Sequence, residues 1–278
     1  MKYLFYTISD LNPISLACTD ILYKSLKNKI TNLNFQVIVP QKYSNENTYK
    51  YPIKYIKSDY LSISRYDKEV FEQDYDYFIY LDSDIYFNLN QDIFFHEIDN
   101  NDIICCRENQ SIKSSPWHHI IMNNDFLKKH IDKIAVNSGF FCFKKEIAKI
   151  CGDYILHNFK DIYNIPDYKK QDKAYRREML AVNGSIKQKD KKEQIKNKII
   201  EFMSEQSLFN KFLIENAENY KIKDFSDKIE LNKFWLSGQN FYFEKIDNKI
   251  YHFCGNFDTD MNKKLIVMND FFKKHHVQ

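Results

Sequence analysis

The sequence predicts a three-layer α/β fold, in which helices cover both faces of a mostly parallel central sheet. Short apolar segments typical of strands alternate with helical segments over about the first 160 of the 278 residues. The chain is 44% hydrophobic and 16% aromatic, which is enough to build a sizeable core. We therefore expect a single domain over residues 1–278, with a charged helical insertion at about residues 160–200.

Five apolar, β-prone segments are predicted as strands. They are Lys2–Ile8, Phe35–Val39, Tyr77–Leu81, Asp102–Cys106 and Ala135–Phe143. The third segment is apolar throughout, which is typical of a central strand that is buried on both faces.

Helical patterns lie between and after these strands. The predicted helices begin at Pro13, cover residues 66–74, run from Lys145 to about Phe159, and cover Glu205–Ile214. Near the end of the chain, residues 241–246 and 249–253 are predicted to pair as a hairpin about an Asp-Asn turn. A helical tail is expected from about residue 261.

The predicted insertion is strongly basic. Between Lys160 and Lys198 there are twelve Lys and Arg residues and six Asp and Glu residues. Two interpretations remain open: a solvated, partly helical insertion, or a surface for an anionic partner.

Several functional classes are excluded by composition. The net charge of +3 is too balanced for binding nucleic acid through bulk charge. The five glycines are too widely spaced for the loops of dinucleotide-binding enzymes, P-loop NTPases or protein kinases. No stretch of 18 apolar residues predicts a membrane span, and the apolar N-terminal run is too short for a signal peptide. The six scattered cysteines are typical of reduced, buried thiols, so we expect a cytoplasmic protein.

The strongest local signal for chemistry is the segment Tyr80-Leu81-Asp82-Ser83-Asp84. In an extended segment alternate side chains point the same way, so the two carboxylates converge. Like charges at the end of a strand repel unless a cation lies between them, and an oxygen pair suits Mg²⁺ or Mn²⁺. An ordinary turn remains the alternative, since Asp-Ser-Asp also suits a loop.

Two other enzyme classes carry carboxylates in similar settings. Haloacid dehalogenase-type phosphotransferases place Thr or Val at the fifth position of their motif, where this chain has Tyr86, and place the motif on the first strand. Sugar-nucleotide pyrophosphorylases need a glycine-rich N-terminal loop, whereas Met1–Leu11 contains no glycine. Both classes are therefore disfavoured.

Four further segments accompany the Asp-Ser-Asp motif in a fixed order. Arg65 stands 17 residues before Asp82, and Asn137-Ser138-Gly139 begins 55 residues after it. Glu205-Gln206 and the stretch from His252 to Gly255 follow. This ordered set, spanning Thr7 to Gly255, resembles glycosyltransferase family 8, which contains glycogenin-like and lipopolysaccharide galactosyl- and glucosyltransferases. The resemblance implies the Rossmann-like GT-A fold.

The resemblance also implies a metal site and a donor. Asp82, Asp84 and His252 would hold Mn²⁺ (or Mg²⁺) against the diphosphate of a UDP-sugar. The family usually has a Lys-Pro-Trp after its His-x-x-Gly, with the Lys on the diphosphate, and this chain lacks it. Either Lys263 or Lys264 replaces that lysine, or the phosphate is held differently.

The donor site is implied residue by residue. Thr7 would lie beside the base and ribose, Arg65 would reach the nucleotide or its phosphates, and Ser83 would present its backbone to the ribose. The remaining positions implied to bind the donor are Asn137, Ser138, Gly139 and Gly255.

The catalytic pair implied by the resemblance is Glu205 and Gln206. Glu205 would bind sugar hydroxyls, and Gln206 would lie near the anomeric carbon on the face opposite the leaving group. A plain helix N-terminus with Ser204 as its cap is the alternative for these residues.

The expected reaction is the retaining transfer of a hexose to a glycan, lipid or protein acceptor. The basic insertion would then be an acceptor-side flap that favours an anionic or membrane-associated acceptor. A non-catalytic protein that binds nucleotide sugar or glycan is the alternative function.

Overall fold

The computed structural model describes residues 1–112, 129–163, 189–231, 247–253 and 261–275. Ten strands occur in these residues. They are β1 (Tyr3–Ile8), β2 (Phe35–Pro40), β3 (Ile53–Ile56), β4 (Tyr77–Leu81), β5 (Ile85–Phe87), β6 (Ile103–Ser111), β7 (Ile134–Lys144), β8 (Ile222–Asp224), β9 (Ile229–Leu231) and β10 (Ile250–His252).

Seven of these strands form the main sheet, in the order β3-β2-β1-β4-β7-β6-β8. Strand β1 pairs in parallel with β2 and β4, β2 with β3, and β6 with β8. Only β7 runs antiparallel to both of its neighbours, β4 and β6. The prediction of a mostly parallel central sheet is therefore confirmed. A second sheet has the order β5-β10-β9.

Six α-helices lie in the described residues. They are α1 (Pro13–Lys29), α2 (Lys68–Phe71), α3 (Gln91–Asp99), α4 (Lys145–Tyr163), α5 (Lys189–Glu215) and α6 (Met261–His275). The start of α1 is determined locally, because the Asn12 side chain accepts hydrogen bonds from the backbone N–H groups of Ile14 and Ser15, and Pro13 occupies the first turn.

The helices cover both faces of the main sheet. On one face, apolar side chains of β1, β4 and β7 pack against α4 and α5, with Tyr80 and Phe141 at the centre of the cluster. On the other face, the alternate residues of the same strands pack against α1 and α3. This alternation places Asp82, two residues beyond Tyr80, on the α5 side of the sheet.

A third apolar cluster attaches α6 to the body of the protein. Met268 and Phe271 of α6 pack against Tyr86 of β5 and Tyr251 of β10. The same cluster includes Cys18 of α1. The C-terminal helix therefore lies next to the segment that carries the two aspartates.

Three predicted elements differ in the structure. Residues 66–74 are not one helix, because Asp67 adopts an extended conformation between a 3-10 turn, Ser62–Tyr66, and the short α2. Helix α5 begins at Lys189, so Glu205 and Gln206 lie inside it and Ser204 is not its N-cap. A lysine-rich segment continues the helix N-terminally, since lysine has good helix propensity.

The third difference concerns the predicted hairpin near the end of the chain. Strand β10 has β5 on one edge and β9 on the other, so neither edge pairs with the predicted partner strand. That partner, residues 241–246, lies outside the described residues. Most of the predicted insertion, residues 164–188, lies outside them as well. None of the described helices combines the length and the hydrophobicity that a membrane-spanning helix requires.

Candidate metal centre

Three potential metal ligands meet beyond the end of β4. Asp82 follows the last residue of β4, and Asp84 precedes β5. His252 pairs with Ile85 across β10 and β5, and the backbone N–H of Phe253 donates to the carbonyl of Asp84 at 3.0 Å. These pairings bring the imidazole to the turn that carries both aspartates.

The distances between the three ligand atoms suit the coordination of a single ion. His252 Nε2 lies 3.5 Å from Asp82 Oδ2 and 3.2 Å from Asp84 Oδ1. Asp84 Oδ1 is buried and accepts no hydrogen bond from the described residues. Ligands about 2.1 Å from one ion lie about 3 Å or more from each other, so this group fits a divalent cation.

Gly139 allows these ligands to approach. A Cβ atom at this position would lie 2.3 Å from Cε1 of His252 and 2.5 Å from Oδ2 of Asp82. The carbonyl of Gly139 also accepts a hydrogen bond from the backbone N–H of Asp82 at 2.8 Å. The register of β6 and β7 shifts here, since Cys105 pairs with Phe141 but Cys106 pairs with Asn137. This bulge directs the Ser138-Gly139 backbone towards the carboxylates.

Each aspartate directs one carboxylate oxygen towards His252, and its other oxygen accepts a hydrogen bond from a residue that is not a potential metal ligand. The hydroxyl of Tyr80 donates to Asp82 Oδ1, the oxygen that does not face His252. The ammonium of Lys264, on α6, donates to Asp84 Oδ2 at 2.5 Å. Outer contacts of this kind orient the ligands of a metal.

Both aspartates are ionised in this environment. Burial by itself raises the pKa of Asp82, but Arg65 and His252 outweigh it, and the pKa lies below the ordinary value. Burial also acts to raise the pKa of Asp84, but the Lys264 ammonium and His252 hold it well below the ordinary range. Carboxylates in this state are available as ligands without competition from protons at neutral pH.

Arg65 links the metal cluster to a second buried acid. Its side chain is 1% exposed, and its Nη1 lies 3.7 Å from Asp82 Oδ1 and 3.7 Å from Glu205 Oε2. The guanidinium donates to the carbonyls of Ser62 and Ser138 and lies 4.4 Å from the centre of the Tyr80 ring. Burial lowers its pKa, but the two carboxylates reverse this effect and keep the group charged.

Glu205 is fully buried, and other side chains hold both of its oxygens. The hydroxyl of Tyr66 donates to Oε1 at 2.5 Å, and that of Ser138 donates to Oε2 at 3.0 Å. Burial raises the pKa of Glu205 to about 7, although Arg65 opposes this shift. A carboxyl with this pKa changes its charge near neutral pH.

The side-chain amide of Gln206 is oriented from both ends. Its Nε2 donates to Glu108 Oε1 at 3.1 Å, and its Oε1 lies 3.3 Å from the hydroxyl of Ser138. Glu108 is 6% exposed on β6 and also accepts a hydrogen bond from Gln110. Ser138 therefore contacts both residues of the Glu205-Gln206 pair.

The other positions implied to bind the donor are placed as follows. Thr7 lies near the carboxyl end of β1, and its buried hydroxyl has no hydrogen-bond partner among the described residues. Ser83 lies between the two aspartates, and Asn137 Oδ1 accepts a hydrogen bond from the backbone N–H of Gly139. Gly255 lies outside the described residues.

Three polar residues of this network were not singled out from the sequence. The sequence pattern marks Tyr80 only as a strand residue, although its position two residues before Asp82 places the two side chains on the same side of the sheet. Tyr66 and Glu108 contact Glu205 and Gln206 across the fold. An acidic residue just after the apolar stretch that ends at Cys106 was the available signal for Glu108.

Comparisons with known proteins give matches among solved structures and none by sequence. No protein-family model matches the chain, and no curated protein matches it. Among solved structures, the chain is similar to the apo form of mouse xyloside xylosyltransferase 1, with 16% sequence identity and a TM-score of 0.48. That similarity covers 93% of this chain and 98% of the other. We draw no functional conclusion from a likeness of this size.

Proposed function

We propose that this protein is a metal-dependent glycosyltransferase of the GT-A fold that transfers a hexose from a UDP-sugar with retention. The acceptor in this proposal is a glycan, a lipid or a protein. The observation that carries it is the group of Asp82, Asp84 and His252, whose ligand atoms lie within 4.8 Å of one another. This group stands beyond the carboxyl end of a central strand, where open α/β sheets bind ligands.

The chemistry of the ligand set favours Mn²⁺ as the ion. Mg²⁺ takes oxygen ligands almost exclusively, whereas two carboxylates and one imidazole suit Mn²⁺ better. When bound, such an ion neutralises the negative charge of a departing diphosphate.

The protein residues near this group would orient the donor and exclude water from it. Gly139 leaves room for His252 and Asp82 to meet, and Arg65 keeps Asp82 and Glu205 in place. Because Glu205 is fully buried and held by Tyr66 and Ser138, we assign it to position its neighbours. We assign to Gln206 the place nearest the anomeric carbon.

Retention would follow from attack on the face that the leaving group departs from. The bond between the anomeric carbon and the phosphate oxygen breaks, and the acceptor oxygen bonds to that carbon on the same face. The departing phosphate oxygen takes the acceptor's proton, so no protein base is needed in this step.

A non-catalytic nucleotide-sugar-binding protein is the second candidate. It is favoured by the engagement of Arg65 and Glu205 within the protein, since their side chains are 1% and 0% exposed. Such a protein would bind the donor at the same metal site without turnover.

One experiment separates these functions. Purified protein is tested with UDP-, GDP- and CMP-sugars, with and without Mn²⁺, for a raised melting temperature and for release of the nucleotide. Ligand binding to the folded state raises the melting temperature by mass action. A glycosyltransferase is expected to bind and slowly hydrolyse its donor, whereas the binding protein would show the thermal shift alone.

The variant Asp84→Asn is expected to lose Mn²⁺-dependent binding and hydrolysis while remaining folded. Asp227→Asn is the matched control, because its carboxylate is 65% exposed on the surface. Retained Mn²⁺-dependent donor binding by Asp84→Asn would refute the assignment of the site.

A further inference from the structure

Each of the two aspartates already has a cationic side chain beside it. Arg65 lies 3.7 Å from Asp82, and Lys264 lies 2.5 Å from Asp84. Both cationic side chains are buried, at 1% and 7% exposure. Lys264 therefore neutralises Asp84, while Arg65 is shared between Asp82 and Glu205, which lies 3.7 Å from the same guanidinium. At most one negative charge, that of Glu205 when it is ionised, is left uncompensated near the site.

Lys264 does not occupy the position between the ligands. Its ammonium contacts Oδ2 of Asp84, whereas Oδ1 of the same carboxylate faces His252 Nε2. An ion held by Asp84 Oδ1, Asp82 Oδ2 and His252 would therefore sit beside this ammonium without displacing it. Lys264 would then repel the ion while fixing which oxygen of Asp84 is offered to it.

The position of Lys264 is imposed by the packing of α6. Met268 and Phe271, on later turns of this helix, are buried against Tyr86 and Tyr251. Asp84 lies two residues before Tyr86, so the same contacts place the backbone of Lys264 within side-chain reach of the carboxylate.

An added divalent ion would leave at least one surplus positive charge in this partly buried site, where unbalanced charge is costly. A diphosphate at the same site restores the balance. We infer that Lys264 is a built-in counter-ion of Asp84 that makes metal binding depend on a diphosphate anion. The inference rests on the metal centre of the proposed function and adds a positioning residue from the C-terminal helix. The metal alone binds weakly, and the metal with its anion binds well.

The test measures Mn²⁺ binding by electron paramagnetic resonance of the free ion, with and without UDP. The variants are Lys264→Met, Lys264→Gln and Lys264→Arg, with Lys273→Met as the control for loss of an exposed charge on the same helix. Circular dichroism confirms that each variant is folded, and the two neutral variants guard against one of them failing to fold.

Lys264→Met and Lys264→Gln are expected to bind Mn²⁺ alone at least about 10-fold more tightly than the unmodified protein. UDP should tighten Mn²⁺ binding strongly in the unmodified protein and much less in these two variants. Lys264→Arg and Lys273→Met should behave as the unmodified protein does.

Neutral variants that bind Mn²⁺ alone no better than the unmodified protein would overturn the inference. So would an unmodified protein whose Mn²⁺ affinity does not respond to UDP. If no form binds Mn²⁺ under either condition, the metal centre and the proposed function fail together. If the expected Mn²⁺ results appear but no nucleotide sugar is bound or hydrolysed, the inference stands and the proposed glycosyltransferase fails.

Discussion

Substitution of Gly139 by alanine is expected to destroy the metal centre without unfolding the protein. The added Cβ would lie 2.3 Å from Cε1 of His252, 2.5 Å from Oδ2 of Asp82 and 2.8 Å from Oδ1 of Asn137. Ordinary contacts between such atoms begin at roughly 3.5 Å, so the two metal ligands must move by about 1 Å.

That displacement exceeds what a metal site tolerates. Ligand distances in such sites hold to about 0.2 Å, so a shift of this size removes at least one ligand from the ion. We expect Gly139→Ala to bind Mn²⁺, in the presence of UDP, about 100-fold more weakly or worse. Overpacking of this kind costs about 1–3 kcal/mol of folding stability, which leaves a cooperative unfolding transition in urea.

Gly152→Ala is the matched control for this effect. Its Cβ would lie 2.6 Å from the backbone carbonyl oxygen of Tyr66 and 3.1 Å from the ring of Phe71, so it also clashes. These contacts lie in the core beneath α4 and involve no metal ligand. Gly152→Ala should lower stability and leave Mn²⁺ affinity unchanged. Unaltered Mn²⁺ binding by Gly139→Ala, measured by calorimetry with UDP present, would refute the reasoning.

Two further predictions concern the buried acid and its cation. Because the pKa of Glu205 is raised from 4.5 to about 7, the folded state holds a proton that the unfolded state loses, so its contribution to stability falls as pH rises from 4.5 through 7. Urea unfolding at pH 4.5 and 7.5 should show the unmodified protein losing about 3 kcal/mol relative to Glu205→Gln, and parallel pH profiles would contradict this. Arg65→Met should cost about 3 kcal/mol of unfolding free energy at pH 7.5, since it leaves the fully buried Glu205, and the partly exposed Asp82, without their cation. The loss should be smaller in a Glu205→Gln background, and equal losses in both backgrounds would show that Arg65 and Glu205 are not coupled.

The layers of the fold and the core of the metal site were readable from the sequence. Strand and helix signals alternate locally, and two aspartates directly after an apolar strand indicated paired carboxylates. They converge through a turn at Ser83 and Asp84, closed by a hydrogen bond from the Ile85 N–H to the Asp82 carbonyl, and not through the extended segment that the sequence predicted. A glycine inside the apolar strand that became β7 indicated close approach, and the clash distances at Gly139 show what approaches it. These features depend on neighbours along the chain.

Features that depend on distant partners were decided only by the tertiary structure. Lys264 and Asp84 are 180 residues apart, and the sequence left open whether Lys263, Lys264 or neither met the site. Arg65 has the spacing of a ligand-binding residue, yet the fold buries it between two carboxylates. Helix α5 begins sixteen residues before Glu205 because the helix continues through the lysine-rich segment, whereas the local capping pattern at Ser204 indicated a start. Local patterns report periodicity and conformational preference; which charges share a buried site depends on how α5, α6 and the sheet pack together.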